Sequence, residues 1–243
     1  MKTLLIIAGS DSGGGAGIQA DIKTASAHNI FATTAITALT AQNTLGVSGV
    51  VDTLPEFVAA QIKAVLEDIG ADSVKIGMLS SAAIIEAVHS ALFPAPAFLV
   101  LDTVMLAKGG AALLRPDAVE ALKTLLIPIA SIVTPNIPEA EVLAGMEIKN
   151  KDDMVKAASR ILELGAKAAL IKGGHMEGAV VTDVLLQKGS EPVFIEHARI
   201  NTRNTHGTGC TLASGIACNL ANGLPLSEAV QKATDYVNRA IKA

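Results

Sequence analysis

Two kinds of segment alternate along the chain: short apolar runs rich in β-formers, and stretches with helical periodicity. Apolar residues at 58, 62, 65, 66 and 69, for example, share one helical face. The predicted strands are Thr3–Ala8, Ala32–Leu39, Ser73–Ile76, Ala97–Leu101, Ser131–Val133 and Ala168–Ile171. The predicted helices are Ala16–His28, Pro55–Ile69, Ser81–Leu92, Pro116–Leu125, Ile137–Ala144, Lys151–Leu164, Thr208–Asn222 and Ser227–Lys242.

This alternation predicts the fold class. Repeated strand–helix units are typical of an α/β fold with a mostly parallel central sheet and helices on both faces. Between residues 179 and 200 the pattern changes to two strand-like runs around Gly189, which predicts an antiparallel hairpin at the sheet edge. No linker or break in composition divides the chain, so we expect residues 1–243 to form a single domain.

Composition narrows the class of protein. The net charge is −4, acids and bases are mixed, and aromatics make up only 2%, which argues against a nucleic-acid partner. The apolar start is too short for a signal peptide, and charged residues and prolines interrupt the apolar stretch 82–101, so we expect a cytosolic protein without a membrane span. Cys210 and Cys218 would lie roughly 12 Å apart on one helix, too far for a disulfide, and are expected as reduced thiols.

The segments that carry candidate binding and catalytic residues directly follow the predicted strands, at the sheet edge where α/β folds bind ligands. The segments are GSDSGGGAG, TAQNT, KIGML, LDTVMLAKGG, TPNIPE and KGGH. A P-loop is excluded because no lysine follows the glycines. A dinucleotide fold is disfavoured because the second strand ends without the acid that would hold a ribose.

Three of these motifs allow two interpretations each. Asn136 and Glu139 have the spacing of a capping box, yet the same pair could hold a hydrated Mg²⁺ beside phosphates. Lys172 is either a solvated lysine or a phosphate ligand. Asp21 is either a solvated acid in a first helical turn or part of a pocket.

The stretch NTHGTGC leads through a glycine-rich turn into a helix. Free backbone N–H groups and the helix dipole make such a turn an anion site. Cys210 would lie in this positive field, so we expect its thiol pKa to fall. A thiolate there could act as a base, or less readily as a nucleophile, whereas the simpler alternative is a small packing residue.

In sequence order, the motifs AGSDSGGGAGIQAD, TALTAQNT, VKIGML, TPNIPEAEVL, KGGH and RINTRNTHGTGCTLAS span nearly the whole chain. Together they resemble the ribokinase-like superfamily and, within it, the hydroxymethylpyrimidine/phosphomethylpyrimidine kinases of thiamine biosynthesis. The resemblance implies a ribokinase-like three-layer sandwich. It also implies ATP-dependent, Mg²⁺-assisted phosphorylation of 4-amino-5-hydroxymethyl-2-methylpyrimidine to the monophosphate and then the diphosphate. A pyridoxal kinase with the same cysteine-type anion hole, or a non-catalytic ligand-binding regulator, remain alternatives.

The resemblance also implies roles for individual residues. Gln42 and Asp21 would bind the aminopyrimidine, with Gly9, Met78 and Val104 as pocket walls. Asn136 and Glu139 would hold Mg²⁺, and Lys172 and Thr208 would contact the ATP phosphates. Gly207, Thr208 and Gly209 would form the anion hole, with Cys210 as base.

One position departs from the family pattern. Thr103 stands where the family usually has proline, in a flap over 102–112 in which Asp102, Val104, Met105 and Lys108 still fit. The loss of proline removes a fixed φ from this turn. Relatives are often homodimers, although no apolar stripe in the sequence identifies such an interface.

Overall fold

A computed structural model describes residues 1–106, 113–115, 117–202 and 204–242. The strands are β1 Thr3–Asp11, β2 Phe31–Gln42, β3 Val47–Asp52, β4 Ser73–Ile76, β5 Leu99–Leu101, β6 Ile132–Val133, β7 Ala168–Ile171, β8 Val180–Gln187 and β9 Val193–Ala198. The α-helices are α1 Gly17–Ala27, α2 Pro55–Asp68, α3 Ala82–Ala91, α4 Ala118–Ala121, α5 Ile137–Ala144, α6 Lys151–Glu163, α7 Thr208–Ala221 and α8 Leu226–Lys242. None of the helices in these ranges is long and apolar enough to cross a bilayer.

The strands form one sheet in the order β3-β2-β1-β4-β5-β6-β7-β8-β9. The six strands from β2 to β7 in this order are parallel, whereas β3, β8 and β9 join them in antiparallel fashion. The predicted hairpin around Gly189 is therefore confirmed as β8–β9. A second antiparallel strand, β3, lies at the opposite edge and was not predicted.

Helices cover both faces of the sheet, as the apolar runs of the strands require. Along β1, Leu5 and Ile7 join the apolar cluster beneath α2, α3, α5 and α6. The alternate residues Leu4 and Ile6 join a second cluster beneath α1, α7 and α8. Successive side chains of a strand point to opposite sides of the sheet, so a strand that is buried on both faces has a continuous apolar sequence. The predicted three-layer α/β fold is confirmed.

The segment after residue 116 differs from the predicted helix Pro116–Leu125. Pro116 lies outside the described residues, and α4 is followed by a π-helical turn, Leu122–Leu126, and a 3₁₀ turn, Ile127–Ile129. The Ile127 N–H donates to the Leu122 carbonyl, five residues back. Pro128 has no N–H to continue an α-helical ladder, which accounts for the change in winding at this point.

The topology creates a crevice at the carboxyl edge of the sheet. After β1 the chain turns to one side to form β2 and β3, then crosses back to place β4 on the other side of β1. Such a reversal leaves an opening at the ends of the two central strands, where ligands bind in open α/β sheets. The ends of β2 and of β4 to β7 meet at the same edge.

Candidate active site

A cleft with an empty volume of about 790 Å³, counting the space at its mouth, lies along the carboxyl edge of the sheet. Ten of the predicted site residues line it: Gly9, Gln42, Met78, Val104, Asn136, Glu139, Lys172, Gly207, Gly209 and Cys210. Asp21 and Thr208 do not line the cleft, and Lys108 lies outside the described residues. Residues 9 and 210 thus meet in one place although almost the whole chain separates them.

Asp21 is fully buried below the cleft, with an exposed fraction of 0%, so its interpretation as a solvated acid is wrong. Its carboxylate pairs with Lys75 at 2.8 Å and accepts a 2.7 Å hydrogen bond from the Ser214 hydroxyl. Lys75 itself lines the cleft. Burial alone would lower the Lys75 pKa, but Asp21, with smaller contributions from Cys210 and Asp102, raises it above its ordinary value. Asp21 therefore acts on the cleft through the Lys75 ammonium.

Sequence reasoning did not single out Lys75, because its partner lies far away along the chain. The only signal is a lysine inside the four-residue strand β4, SVKI, whose residues are all buried. An unpaired lysine ammonium at such a position would be strongly disfavoured, so a lysine there indicates a buried acidic partner.

The glycine-rich loop after β1 is organised by Asp11. Its carboxylate accepts hydrogen bonds from the backbone N–H groups of Gly13, Gly15 and Ala16, at 2.8 to 3.1 Å. It also lies 2.9 Å from Nε2 of His206, in the loop before α7. Burial opposes ionisation of Asp11, but the hydrogen bonds from His206 and the amides outweigh it and lower its pKa. These amides therefore bind the protein's own carboxylate.

Two glycines allow the loops before α1 and α7 to touch. A Cβ atom on Gly207 would lie 1.7 Å from the Gly15 carbonyl oxygen, and Gly207 has φ of +77°. A Cβ atom on Gly15 would lie 2.4 Å from the His206 ring. Only glycine permits this left-handed conformation at such close range. The contact joins the loop between β1 and α1 to the loop that precedes α7, and both loops border the cleft.

Gln42 is positioned by the end of β2, where the pairing with β1 shifts register. Two steps along β1, from Ala8 to Ser10, face three steps along β2, so β2 bulges and redirects the residues that follow. The Gln42 backbone N–H donates to the Ser12 hydroxyl, which donates in turn to the Gln42 carbonyl, both at 2.8 Å. Gln42 thus lines the cleft, and its backbone is held in place by two hydrogen bonds to Ser12.

The first turn of α7 offers backbone donors to the cleft. Gly207 is the N-cap residue, and no side chain among the described residues caps the helix. The Thr211 N–H closes the first turn on the Gly207 carbonyl, so the amides before it precede the helical ladder; of these, the Thr208 N–H already donates to the Thr205 carbonyl at 3.4 Å. The Thr208 hydroxyl is directed elsewhere and donates to the Thr205 carbonyl at 3.0 Å. Gly207 and Gly209 therefore fit an anion site, whereas the Thr208 side chain faces the preceding turn.

The Cys210 sulfur lies at this turn, but its predicted acidity is wrong. Burial raises the pKa of the Cys210 thiol to about 11; Lys75 and a hydrogen bond from the Gly17 N–H lower it, while Asp21 and Asp102 add to the increase. The sequence argument included the helix terminus but neither of these carboxylates. Cys210 and Cys218 are both free, as predicted.

Asn136 and Glu139 form a capping box at the start of α5. The Glu139 N–H donates to the Asn136 side chain, and the Asn136 N–H donates to the Glu139 carboxylate, both at 2.9 Å. Glu139 also accepts hydrogen bonds from the Thr103 hydroxyl at 3.2 Å and the Met105 N–H at 3.4 Å. Both capping residues line the cleft, so the structural interpretation does not exclude a role in ligand binding. The Thr103 hydroxyl thus ties the segment after β5 to α5.

Lys172 places a second cation beside the α7 turn. Its Nζ atom lies 3.1 Å from Asp102 and 3.3 Å from the position that a Cβ atom on Gly209 would occupy. Burial alone would lower the Lys172 pKa, but Asp102 and Glu139 raise it. Burial raises the Glu139 pKa, and Asp102 adds to this effect while Lys172 opposes it.

Cations and carboxylates therefore alternate along this side of the cleft, next to free amides. In the described part of the chain, no group of three or more His, Cys, Asp or Glu side chains could hold a metal ion by itself. The donor set, with Lys172 and the α7 amides, instead suits a ligand that carries its own negative charge.

Comparisons with known proteins agree with this chemistry. The model of the family described as "Phosphomethylpyrimidine kinase" matches residues 11–243. A hydroxymethylpyrimidine/phosphomethylpyrimidine kinase from Rhizobium meliloti is 49% identical over 240 residues, which cover 98% of this chain and 90% of the relative.

Solved structures of two kinases are similar to nearly the whole chain. The crystal structure of phosphomethylpyrimidine kinase from Clostridium difficile 630 has a TM-score of 0.87 at 46% identity, covering 99% of this chain and 100% of that chain. Bacillus subtilis pyridoxal kinase in an ADP complex has a TM-score of 0.92 at 38% identity, covering 100% of this chain and 92% of that chain. The chain therefore belongs to the phosphomethylpyrimidine kinase family and is an ATP-dependent kinase.

Proposed function

We propose that this kinase phosphorylates 4-amino-5-hydroxymethyl-2-methylpyrimidine, and then its monophosphate, in thiamine biosynthesis. One observation carries the proposal: a single cleft is lined by the Gln42 amide, the Cys210 thiol, the free amides of the α7 turn and the Lys172 ammonium. An amide suits an aminopyrimidine edge, which offers a donor beside an acceptor. The α7 turn and Lys172 suit phosphates.

In this proposal the protein mainly aligns the reactants and offsets charge, which is what phosphoryl transfer needs. Gln42 orients the ring from the end of β2, with Gly9 and Met78 as a wall; a Cβ atom on Gly9 would lie 2.9 Å from the Met78 sulfur. The amides of Gly207 and Gly209 and the Lys172 ammonium stabilise the terminal phosphates of ATP. Lys75, held by Asp21, supplies a further positive charge on the ring side of the cleft.

Cys210 is proposed to accept the proton of the substrate hydroxyl in the first phosphorylation. With a thiol pKa of about 11, only a small fraction is thiolate at neutral pH, and Lys75 is the cation that favours that form. A loose transition state places little demand on the base before the phosphoryl group has left. The second acceptor is already a phosphate and needs no strong base.

The residues at α5 fit a hydrated Mg²⁺ that is shared with the nucleotide. Oε1 of Glu139 accepts only the long 3.4 Å contact from the Met105 N–H among the described residues, so it retains an acceptor for a metal-bound water. The Asn136 side chain is engaged in the capping box. When bound, Mg²⁺ would offset charge on the phosphate chain.

A direct assay tests this function. Purified protein with Mg-ATP and the pyrimidine alcohol should release ADP and accumulate first the monophosphate and then the diphosphate, each followed separately by chromatography. Binding of the alcohol without ADP release would instead support the non-catalytic regulator.

Pyridoxal kinase is the second candidate, because the B. subtilis pyridoxal kinase fold matches with a TM-score of 0.92. The two activities would share the phosphate-binding half of the cleft and differ in the ring pocket. Comparing kcat/KM for pyridoxal and for the pyrimidine alcohol in the same assay distinguishes them.

We also propose that residues 1–243 act as one kinase domain in the cytoplasm, where ATP is available. The continuous nine-stranded sheet and the two free cysteines support this. A homodimer through the β3 edge is proposed as well. Leu39 on β2 and Val51 on β3 are register partners, and each is more than half exposed, at 53% and 67%. An apolar edge strand of this kind is a template for pairing with a second copy.

A further inference from the structure

Five polar groups form a continuous chain along the ring side of the cleft. The Thr40 hydroxyl lies 2.9 Å from the Ser10 carbonyl oxygen and 3.0 Å from Oε1 of Gln42. At the other end of the same amide, Nε2 of Gln42 lies 3.5 Å from Nε2 of His206, which lies 2.9 Å from Asp11. The Gln42 amide can exchange the positions of its donor and acceptor by rotating about its last bond.

The Ser10 end of the chain has a fixed polarity. A carbonyl oxygen only accepts, so the hydrogen between Ser10 and Thr40 must belong to the Thr40 hydroxyl. A hydroxyl carries one hydrogen, so Thr40 has none left for Gln42. What Thr40 offers Gln42 is a lone pair, and a lone pair requires a donor opposite it.

The Asp11 end is fixed in the same way. Three backbone N–H groups already donate to its carboxylate. Those donors and the lowered Asp11 pKa keep the group ionised, so it can only accept. Nε2 of His206 must therefore carry a hydrogen to make its 2.9 Å contact with Asp11. Because that single hydrogen is donated to Asp11, Nε2 of His206 has no lone pair with which to accept a hydrogen bond from the Gln42 amide.

Thr40 therefore needs a donor where the amide presents its oxygen, and His206 cannot accept a hydrogen bond where the amide presents its nitrogen. With Oε1 beside Thr40 and Nε2 beside His206, one contact sets two lone pairs together and the other sets two N–H groups together. Exchanging the two ends leaves the shape of the amide unchanged, gives Thr40 the donor it needs, and places the amide oxygen instead of an NH₂ group beside the positive edge of the His206 ring. Ser12 holds the Gln42 backbone by two 2.8 Å hydrogen bonds, so the amide is reoriented by rotation of its side chain and not by a shift of the main chain.

We infer that Thr40 and His206 are positioning residues that turn the Gln42 amide nitrogen towards Thr40 and its carbonyl oxygen towards His206, and so determine which ring edge the cleft accepts. The consequence for substrates rests on the proposed function. An amino group beside a ring nitrogen presents a donor and then an acceptor. The 4-oxo analogue, with its ring N–H, presents the reverse order. An amide fixed in one orientation can pair with only one of them while the hydroxymethyl group keeps its place.

The orientation can be measured in the free protein, independently of any kinase activity. In a nitrogen-edited NOE spectrum, the Gln42 side-chain NH₂ protons should show cross-peaks to the Thr40 methyl group and not to the Hε1 proton of His206. The His206 Nε2 shift should be that of a protonated ring nitrogen. Cross-peaks to His206 alone, or equal cross-peaks to both residues, would overturn the inference.

A substitution pair tests the effect on specificity. Thr40→Val removes the lone pair with little change of shape, whereas Thr40→Ser retains the hydroxyl. The inference predicts that Thr40→Val lowers the preference for the amino alcohol over its 4-oxo analogue, as a ratio of kcat/KM, by about tenfold, the value of roughly one neutral hydrogen bond. Thr40→Ser should keep the wild-type ratio.

The outcomes separate the two proposals. An unchanged ratio in a folded, active Thr40→Val variant contradicts the specificity role of Thr40. If neither alcohol is phosphorylated by the wild type, the proposed function fails, and the NOE measurement still decides the amide orientation. If Thr40→Val does not fold, Thr40→Ala takes its place as the variant without a hydroxyl.

Discussion

At the scale of single residues, the Cys210 thiol is subject to opposing influences on its pKa, of which burial is the largest. Burial and the carboxylates of Asp21 and Asp102 favour the protonated form, while Lys75 and the Gly17 N–H favour the thiolate. The result is a pKa raised to about 11 in the free enzyme. A glycine-rich helix terminus alone would have indicated the opposite.

The alkylation of Cys210 should therefore be slow at neutral pH and accelerate with pH. A group with a raised pKa keeps its proton until the pH approaches that value, so the iodoacetamide rate should increase about tenfold per pH unit and still be increasing at about pH 10. Mass spectrometry of the modified peptide measures the rate. Cys218, whose exposed fraction is 0%, is the internal control. A plateau below about pH 9 would contradict the raised pKa.

Removal of the thiol should affect the two phosphorylations unequally. Cys210→Ala is expected to lower kcat/KM for the alcohol by roughly 10² or more, the usual contribution of a general base, and to change the second step much less. The two steps are assayed separately from the alcohol and from the monophosphate. Cys218→Ala is the control. Equal losses in both steps would argue against a base.

The Lys75–Asp21 pair allows a stability prediction. Lys75→Met would leave a buried carboxylate without its cation, so the free energy of unfolding should fall by about 3–5 kcal/mol. The double substitution Lys75→Met with Asp21→Leu removes both charges and should recover much of that loss. Urea unfolding measures both variants. A double variant less stable than Lys75→Met would show that the ion pair is not the cause.

At the scale of elements, the helix α7 has one glycine with positive φ just before its first turn and another just after its last. Gly207 has φ of +77° and touches the loop before α1, whereas Gly223 has φ of +83° with nothing within 4 Å of an added Cβ atom. Both positions have the left-handed backbone conformation, but only Gly207 is in close contact with a neighbouring loop. Comparing them therefore separates the cost of that backbone conformation from the cost of disturbing the loop contact.

Gly223→Ala should cost about 1–2 kcal/mol, the usual penalty for a left-handed residue with a Cβ atom. Gly207→Ala should cost about 1–3 kcal/mol more, because the new methyl group overlaps the Gly15 carbonyl and forces the two loops apart. Thermal unfolding compares the variants, and the KM for ATP should rise only in Gly207→Ala. Similar losses at both sites would contradict a loop contact that depends on glycine.

Element by element, periodicity predicted the parallel strands and most helices because each buries a continuous or one-sided apolar pattern. The strand β3 was missed because VSGVVD contains glycine and polar residues and is mostly exposed. An exposed strand does not need the regular apolar pattern from which the other strands were predicted. The site residues after strands could be predicted because the carboxyl ends of parallel strands must meet. The Lys75–Asp21 pair, the Asp11–His206 contact and the Cys210 pKa could not, since each depends on distances across the fold.

At the scale of the whole molecule, the exposed apolar edge at β3 predicts self-association. Val51→Lys places a charge on the edge strand opposite Leu39 and should convert a dimer into monomers in analytical ultracentrifugation. Val180→Lys, on the exposed part of β8, is a matched control and should leave the assembly unchanged. A monomeric wild type, or a dimer that tolerates Val51→Lys, would rule out this interface.

The contact between Asp11 and His206 joins groups 195 positions apart in the sequence. During synthesis on the ribosome, every part of the cleft from β1 to Lys172 is made before the α7 turn, which we propose binds the terminal phosphates of ATP. A nascent or prematurely terminated chain that stops before α7 lacks the Gly207–Cys210 turn and also the apolar face of α7 that packs against α1 and β1. Incomplete chains should not consume ATP, and catalytic competence should arise in a single event when residues 206–243 leave the exit tunnel.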